Sequence, residues 1–291
     1  MPQTKPAPAP NSSLTLVFKW SQVEPTKAKV ERRLAKKVKL AGFRQGKVPL
    51  VIAQTYLNPE AVIEATLEKL LPDAFVKQVK ALPDMPIAPP EYVVKKAEIG
   101  QDWQVEAVYA IHPDVKLGNY QQIARSALKE AKLAYQKLLQ EQTKTSQTSE
   151  QAPDKQPNLP PKPTPDYLLT AIYRQLVTNI KPPVQELLVR RETQSELNNL
   201  FTKLKSLNLS FEDYLKKSQL TMEQLSSEIA TQSLGRLQLV FILQAIAKTA
   251  QITVTEVELD KQLKEQKTNQ SLRSMAREHL LRQKIANHLL G

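Results

Sequence analysis

Six of the thirteen residues from Pro153 to Pro165 are proline, and most of the others are polar. Each proline fixes φ and removes a backbone donor, so neither a helix nor a central strand runs through such a stretch. Residues 143–165 also lack hydrophobic periodicity, and they read as a Pro-rich flexible linker that divides the chain. The 291 residues leave room for two domains of ordinary size around it.

What flanks the linker is predicted to be mostly helical. Glycine occurs six times and aromatic residues make up 5% of the chain, so the apolar content is largely Leu, Ile, Val and Ala. That mixture favours helices over an aromatic-rich β-sandwich. The predicted class is an α+β N-terminal domain followed by a mainly α-helical C-terminal domain, in an elongated multi-domain architecture.

Residues 1–13 are Pro-rich and polar and read as a disordered tail. Leu14 to Trp20 alternates as a strand. Pro25 is expected to open a helix reaching about Lys39, with Val30, Leu34 and Val38 on one face. Gly42 and Gly46 then bracket a short loop. Pro59 opens a longer helix to about Leu82, which Pro72 is expected to kink or split. Glu91 to Ile99 and Trp103 to Ile111 read as a hairpin, because Val105, Ala107, Tyr109 and Ile111 alternate with more polar neighbours. Residues 14–113 thus form the first domain.

Helical spacing returns from Asn119 to about Gln140, in a helical linker assigned to residues 114–142 and expected to pack with the C-terminal domain. Residues 166–291 read as helical throughout. Ser210-x-x-Asp213 is an N-cap signal, and Thr221-x-x-Gln224 and Thr255-x-x-Glu258 fit the capping box.

Several chemistries find no foothold. The chain has no cysteine, which excludes disulfides, thiolate metal sites and cysteine nucleophiles. His112, His279 and His288 are too scattered to suggest a metal site, and no Gly-x-Ser-x-Gly is present. No cofactor, no metal and no catalytic residue is predicted. Leu14 to Phe18 is too short for a signal-peptide core, and Leu237 to Ala247 is too short to span a bilayer. The expectation is a cytoplasmic protein without a membrane partner.

Charge is concentrated at one end. Residues 1–50 hold eleven Lys/Arg against two acidic residues, a net +9 out of the chain's formal +12. Arg32, Arg33, Lys36, Lys37 and Lys39 form the candidate supporting basic face. Such a concentration steers a protein toward a polyanion, with affinity that falls as salt rises. RNA, a ribosome surface and an anionic membrane all fit on charge alone.

The loop Gly42-Phe43-Arg44-Gln45-Gly46-Lys47-Val48-Pro49 narrows the choice. Two glycines permit tight turns, and an exposed Phe beside an Arg pairs an apolar anchor with a charge. A nucleotide-binding loop is excluded, because a Walker sequence needs four residues between its glycines and Ser/Thr after the Lys.

The octapeptide resembles the ribosome-docking signature of the trigger factor family, Gly-Phe-Arg-x-Gly-Lys-x-Pro, at all six specified positions. PIAPPEYVVKKAEIGQDWQVEAVYAIHPDVKLGNY resembles the end of that family's N-terminal domain and the start of its linker. PPVQELLVRRE, FEDYLKKSQLTMEQL and ITVTEVELD resemble successive parts of its helical C-terminal domain. The resemblance implies an ATP-independent chaperone that docks at the ribosomal exit tunnel and binds nascent or unfolded polypeptides. Gly42, Phe43, Arg44, Gln45, Gly46, Lys47 and Pro49 would bind the large subunit through an exit-tunnel protein and rRNA. Gln45 stands where the family often has Lys; one exposed charge pair is worth about 0.2–1 kcal/mol, so docking falls by up to about fivefold.

Leu200, Leu204, Leu207, Leu237, Val240 and Leu243 are the candidate client-binding residues. The family commonly carries an FKBP-like prolyl isomerase domain where this chain has only residues 143–165, too few for a domain, so no enzyme activity is expected. The alternative is a basic RNA-binding protein with a helical protein-interaction domain. It accounts for the charge but not for the Phe-bearing loop. A periplasmic chaperone with a related helical body and a prolyl isomerase fit less well.

Overall fold

The computed structural model describes residues 8–44, 46–148, 160–263 and 270–291. The chain divides into two compact units. One comprises Ala9–His112 together with Gln185–Leu188; the other comprises Pro113–Val184 and Val189–Gly291.

The first unit is a three-stranded antiparallel sheet with helices on one face. Its elements are β1 (Ser12–Phe18), α1 (Trp20–Ala35), α2 (Leu50–Thr55), α3 (Pro59–Val79), β2 (Glu91–Lys96) and β3 (Trp103–Tyr109). The strand order is β1-β3-β2, so β3 is central. Leu16 stands opposite Val105 and Phe18 opposite Trp103, while Val94 meets Val105 from the other side. This register sends every second residue of β1 and β3 to the face covered by Val23, Leu67, Leu71, Phe75 and Val79. Trp103 is fully buried there, and its indole N–H donates to the Glu98 carbonyl at 3.0 Å. On the opposite face the Lys95 ammonium lies 2.9 Å from the Glu106 carboxylate. Hydrogen bonds from Lys95 and Ser13 hold the Glu106 carboxyl below the usual carboxylate range.

Two helix boundaries differ from those the sequence predicts. α1 begins at Trp20, five residues before Pro25, because the Trp20 N–H donates to the Asp102 carboxylate at 2.8 Å. Asp102 lies in the β2–β3 turn and supplies the cap from eighty-two residues away. The helix also ends at Ala35 rather than near Lys39, closed by a Lys37 N–H to Leu34 carbonyl bond of 2.9 Å. α3 runs unsplit through Pro72, which lies on its exposed side, where water can bond the carbonyl that loses its partner.

Residues 9–13 were expected in the disordered tail, but they are tied down. Ala9 bridges to Gln185, and its carbonyl accepts from the Glu186 N–H at 2.9 Å. The Asn11 side chain accepts from the Leu187 N–H at 2.7 Å. Gln185 donates its amide to Ser12 Oγ at 3.0 Å and accepts the Ile111 N–H at 2.7 Å.

The second unit contains α4 (Tyr120–Thr148), α5 (Pro165–Ile180), most of α6 (Glu186–Ser206), α7 (Phe211–Ser218), α8 (Met222–Thr249), α9 (Glu256–Leu263) and α10 (Gln270–Leu290). α4 outruns the expected boundary at residue 142, and Pro165 is the first residue of α5 rather than the end of a linker. Residues 149–159 of the Pro-rich stretch lie outside the described residues. The core joins Ala124 and Ala127 of α4 to Ile172 and Leu176 of α5, Ile242 and Ile246 of α8, and Ile285 and Leu289 of α10. Alanines on α4 let it approach its neighbours closely, and α8 is anchored by its isoleucines. α8 has the length and apolar content to cross a membrane, yet Ile242 and Ile246 are fully buried. Its Gln238 amide donates to the Pro182 carbonyl at 3.1 Å, so the helix serves this core.

The predicted caps form. The Ser210 hydroxyl accepts from the Asp213 N–H at 3.0 Å. Thr221 and Gln224 make both bonds of a capping box. Thr255 and Glu258 do the same at the start of α9.

Candidate binding loop and exposed apolar surfaces

The loop after α1 is built from two successive four-residue turns. The Phe43 N–H bonds the Leu40 carbonyl at 3.1 Å, and the Lys47 N–H bonds the Arg44 carbonyl at 2.9 Å. Gly42 and Gly46 take the third position of each turn, with φ of +85° and +78°. Third-position glycine at positive φ is what a type II turn requires. Phe43 and Arg44 stand between the turns and both are exposed, Phe43 by 42%. A Phe side chain kept in water at a turned tip contributes nothing to the core, and it is available to a partner pocket.

Cations surround this tip in the chain. Arg32 and Arg33 occupy the last turn of α1, where positive charge complements the helix dipole. Lys36 and Lys37 follow in the closing turn and Lys39 in the loop, so the five basic residues are not one helical face. All five are exposed, as are Lys47 and Pro49. Gln45 lies outside the described residues. The Glu31 carboxylate anchors the base by accepting from Lys27 at 2.5 Å and from Gln54 of α2 at 3.0 Å.

α2 adds residues that the sequence reading did not assign. Its Val51 is 77% exposed and Tyr56, just past its end, 61%, and Leu50 and Ile52 are partly exposed. Three consecutive apolar residues at 50–52 were the available signal, since a short helix with one buried face cannot cover them all.

The six candidate client-binding residues do not share one exposure. Leu204 is only 5% exposed and belongs to the interior, which removes it from any binding surface. Leu200, Leu237, Val240 and Leu243 are half-buried, and Leu243 packs on the α5–α8–α10 core. Leu207 is 59% exposed. Around it in the chain Phe201, Leu209 and Met222 are also exposed, and the Phe201 and Phe211 rings lie 4.5 Å apart. Leu204 repeats at helical spacing with Leu197, which is also buried, and that stripe is the packed one.

Among the described residues no group of His, Cys, Asp or Glu could hold a metal ion. The architecture is thus an α+β unit that carries a turned, cationic, Phe-bearing tip, joined in one chain to a helical unit. Two family models match, that of the bacterial trigger factor protein over residues 3–149 and that of its C-terminus over residues 163–289. The chain belongs to the bacterial trigger factor family. Thirteen residues separate the two matches, too few to form a further domain. Trigger factors of Staphylococcus aureus strains JH9 and Newman are each 33% identical over 107 residues, 37% of this chain. That stretch spans a quarter of the length of those relatives. A solved structure of a trigger factor chaperone, concerned with promiscuous substrate recognition in folding and assembly, matches with a TM-score of 0.56. It does so over 98% of each chain at 15% identity, a likeness of fold.

Proposed function

We propose that the chain is an ATP-independent chaperone that docks at the ribosomal exit tunnel and binds nascent polypeptides. The observation that carries this reading is the Phe43–Arg44 tip, exposed between two positive-φ glycines and preceded by exposed cations. Phe43 and Arg44 anchor on a large-subunit protein, while Arg32, Arg33, Lys36, Lys37, Lys39 and Lys47 meet nearby rRNA. Gly42, Gly46 and Pro49 shape the loop, and Gln45 belongs to the same ribosome-binding motif. Clients bind at exposed apolar side chains of the helical unit, with Leu207 and its exposed neighbours Phe201, Leu209 and Met222 as the first candidates. Leu200, Leu237, Val240 and Leu243 contribute the apolar area that remains in contact with water. Reversible burial of such side chains gives fast exchange without nucleotide. The protein works in the cytoplasm and has no isomerase activity.

Co-sedimentation with intact ribosomes tests the reading. Wild type is expected in the ribosome pellet and the Phe43→Ala/Arg44→Ala variant in the supernatant. Equal pelleting of the two overturns it. Retention of the double variant on naked RNA but not on ribosomes would instead favour a basic RNA-binding protein.

A further inference from the structure

An open groove of about 680 Å³ lies in the first unit between α3 and β2. Its apolar lining comprises Ile63, Leu67, Leu71, Tyr92, Val94 and Ala97. Glu60, Glu64 and Glu68 line it as well. Spaced four residues apart, they run along one side of α3 as a row. All three are exposed, and none makes a side-chain ion pair among the described residues. In a chain of net charge +12, this places uncompensated negative charge beside apolar side chains.

β2 is an edge strand. It pairs with β3 alone among the described residues, so its other backbone edge carries no strand. Tyr92 and Val94 turn into the groove, whereas Lys95 turns to Glu106 on the far face. An extended segment laid beside β2 would alternate in the same way and send every second side chain into the groove. The α3 wall from Glu60 to Pro72 rises about 18 Å at 1.5 Å per residue. Five or six extended residues cover about the same length.

From this geometry we infer that the α3–β2 groove binds an extended polypeptide segment that alternates apolar and basic residues. Apolar side chains fill the space over Leu67, Leu71 and Val94, and Lys or Arg side chains meet Glu60, Glu64 and Glu68. The charge of the row selects the occupant: an acidic segment is repelled, and so is nucleic acid. The site deepens the chaperone reading by giving the first unit a client contact separate from the Phe43–Arg44 tip.

The test uses the full chain and a fluorescein-labelled ten-residue peptide of alternating leucine and lysine. Anisotropy should report binding that weakens about tenfold in Glu64→Lys/Glu68→Lys, two exposed substitutions whose charge reversal turns attraction into repulsion. The peptide with serine for leucine and the peptide with glutamate for lysine should both bind at least about tenfold more weakly than the leucine–lysine peptide. Backbone amide shifts at Tyr92 and Val94 should move on titration. Unchanged affinity in the double variant, or equal affinity for the serine peptide, overturns the inference. Phe43→Ala/Arg44→Ala should bind the peptide as wild type does, and Glu64→Lys/Glu68→Lys should still pellet with ribosomes. Failure of the groove is thereby separated from failure of ribosome docking.

Discussion

Gly42 and Gly46 hold the same position in two successive turns, with Phe43 closing the first turn and Arg44 opening the second. The direction of the Phe43 and Arg44 side chains therefore depends on both glycines. No atom lies within 4 Å of where a Cβ on Gly42 would stand, so an alanine there meets backbone strain rather than a clash. At positive φ that strain is about 1–2 kcal/mol. Gly42→Ala and Gly46→Ala are each expected to weaken ribosome co-sedimentation about tenfold while the far-ultraviolet circular dichroism stays unchanged.

Leu204 lies in the last turn of α6 and Leu207 just past its end, and the two should respond oppositely to truncation. Leu204→Ala removes buried side chain and should cost about 2–5 kcal/mol in urea unfolding. Leu207→Ser changes an exposed position, with an expected cost within about 0.5 kcal/mol. If clients bind where proposed, Leu207→Ser combined with Phe201→Ser lowers protection of an aggregating client, and Leu204→Ala acts only through stability. Equal protection by the double serine variant would remove this surface from the client site.

Periodicity could not separate these two leucines, because both follow the helical spacing and differ only in what packs over them. Much else was legible. The β2–β3 hairpin followed from strict alternation around Gly100, and the caps at Ser210, Thr221 and Thr255 followed from residue chemistry alone. The glycines of the loop marked its turns. The start of α1 was not legible, since its cap comes from Asp102 across the sheet, and Pro25 supplied a stronger but misleading local signal. The groove was not legible either, because the spacing of Glu60, Glu64 and Glu68 is the same whether or not a strand lies beside the helix, and only the fold brings β2 next to them.

Trp103 is the pivot of the first unit's core, fully buried with its indole N–H satisfied by Glu98. Trp103→Ala should destabilise this unit by about 3–5 kcal/mol. In guanidinium unfolding followed by the fluorescence of the remaining Trp20, the first transition should move to lower denaturant concentration. A ribosome pellet assay should show the loss as well, because the loop is carried on this unit.

Glu258 accepts hydrogen bonds from Lys284 and from Thr255, and these lower its pKa from 4.5 to about 2. A carboxyl whose folded pKa is depressed stabilises the fold above its unfolded pKa and loses that contribution as pH falls through the folded one. The difference in melting temperature between wild type and Glu258→Gln should thus hold above about pH 4.5 and shrink toward pH 2. A difference independent of pH over this window would show that the carboxylate charge is not what Lys284 and Thr255 hold.

Removing the Thr221 hydroxyl tests the start of α8. Thr221→Ala breaks the bond to the Gln224 N–H and leaves only the reciprocal bond, which the backbone N–H of residue 221 donates to the Gln224 side chain. The expected cost is about 1 kcal/mol in urea unfolding. Thr221→Ser should restore most of it.

The hydrogen bonds from Gln185, Glu186 and Leu187 to residues 9–12 make the first unit discontinuous along the chain. During synthesis the sheet and its helices are complete at His112, yet the partner of Ala9 and Asn11 has not been made. The β1 border stays unfinished until Leu188 has left the tunnel, so the order of translation leaves this unit, for an interval, without its last four residues. A fragment ending at His112 should keep the hairpin and exchange the β1 amides faster than the full chain does.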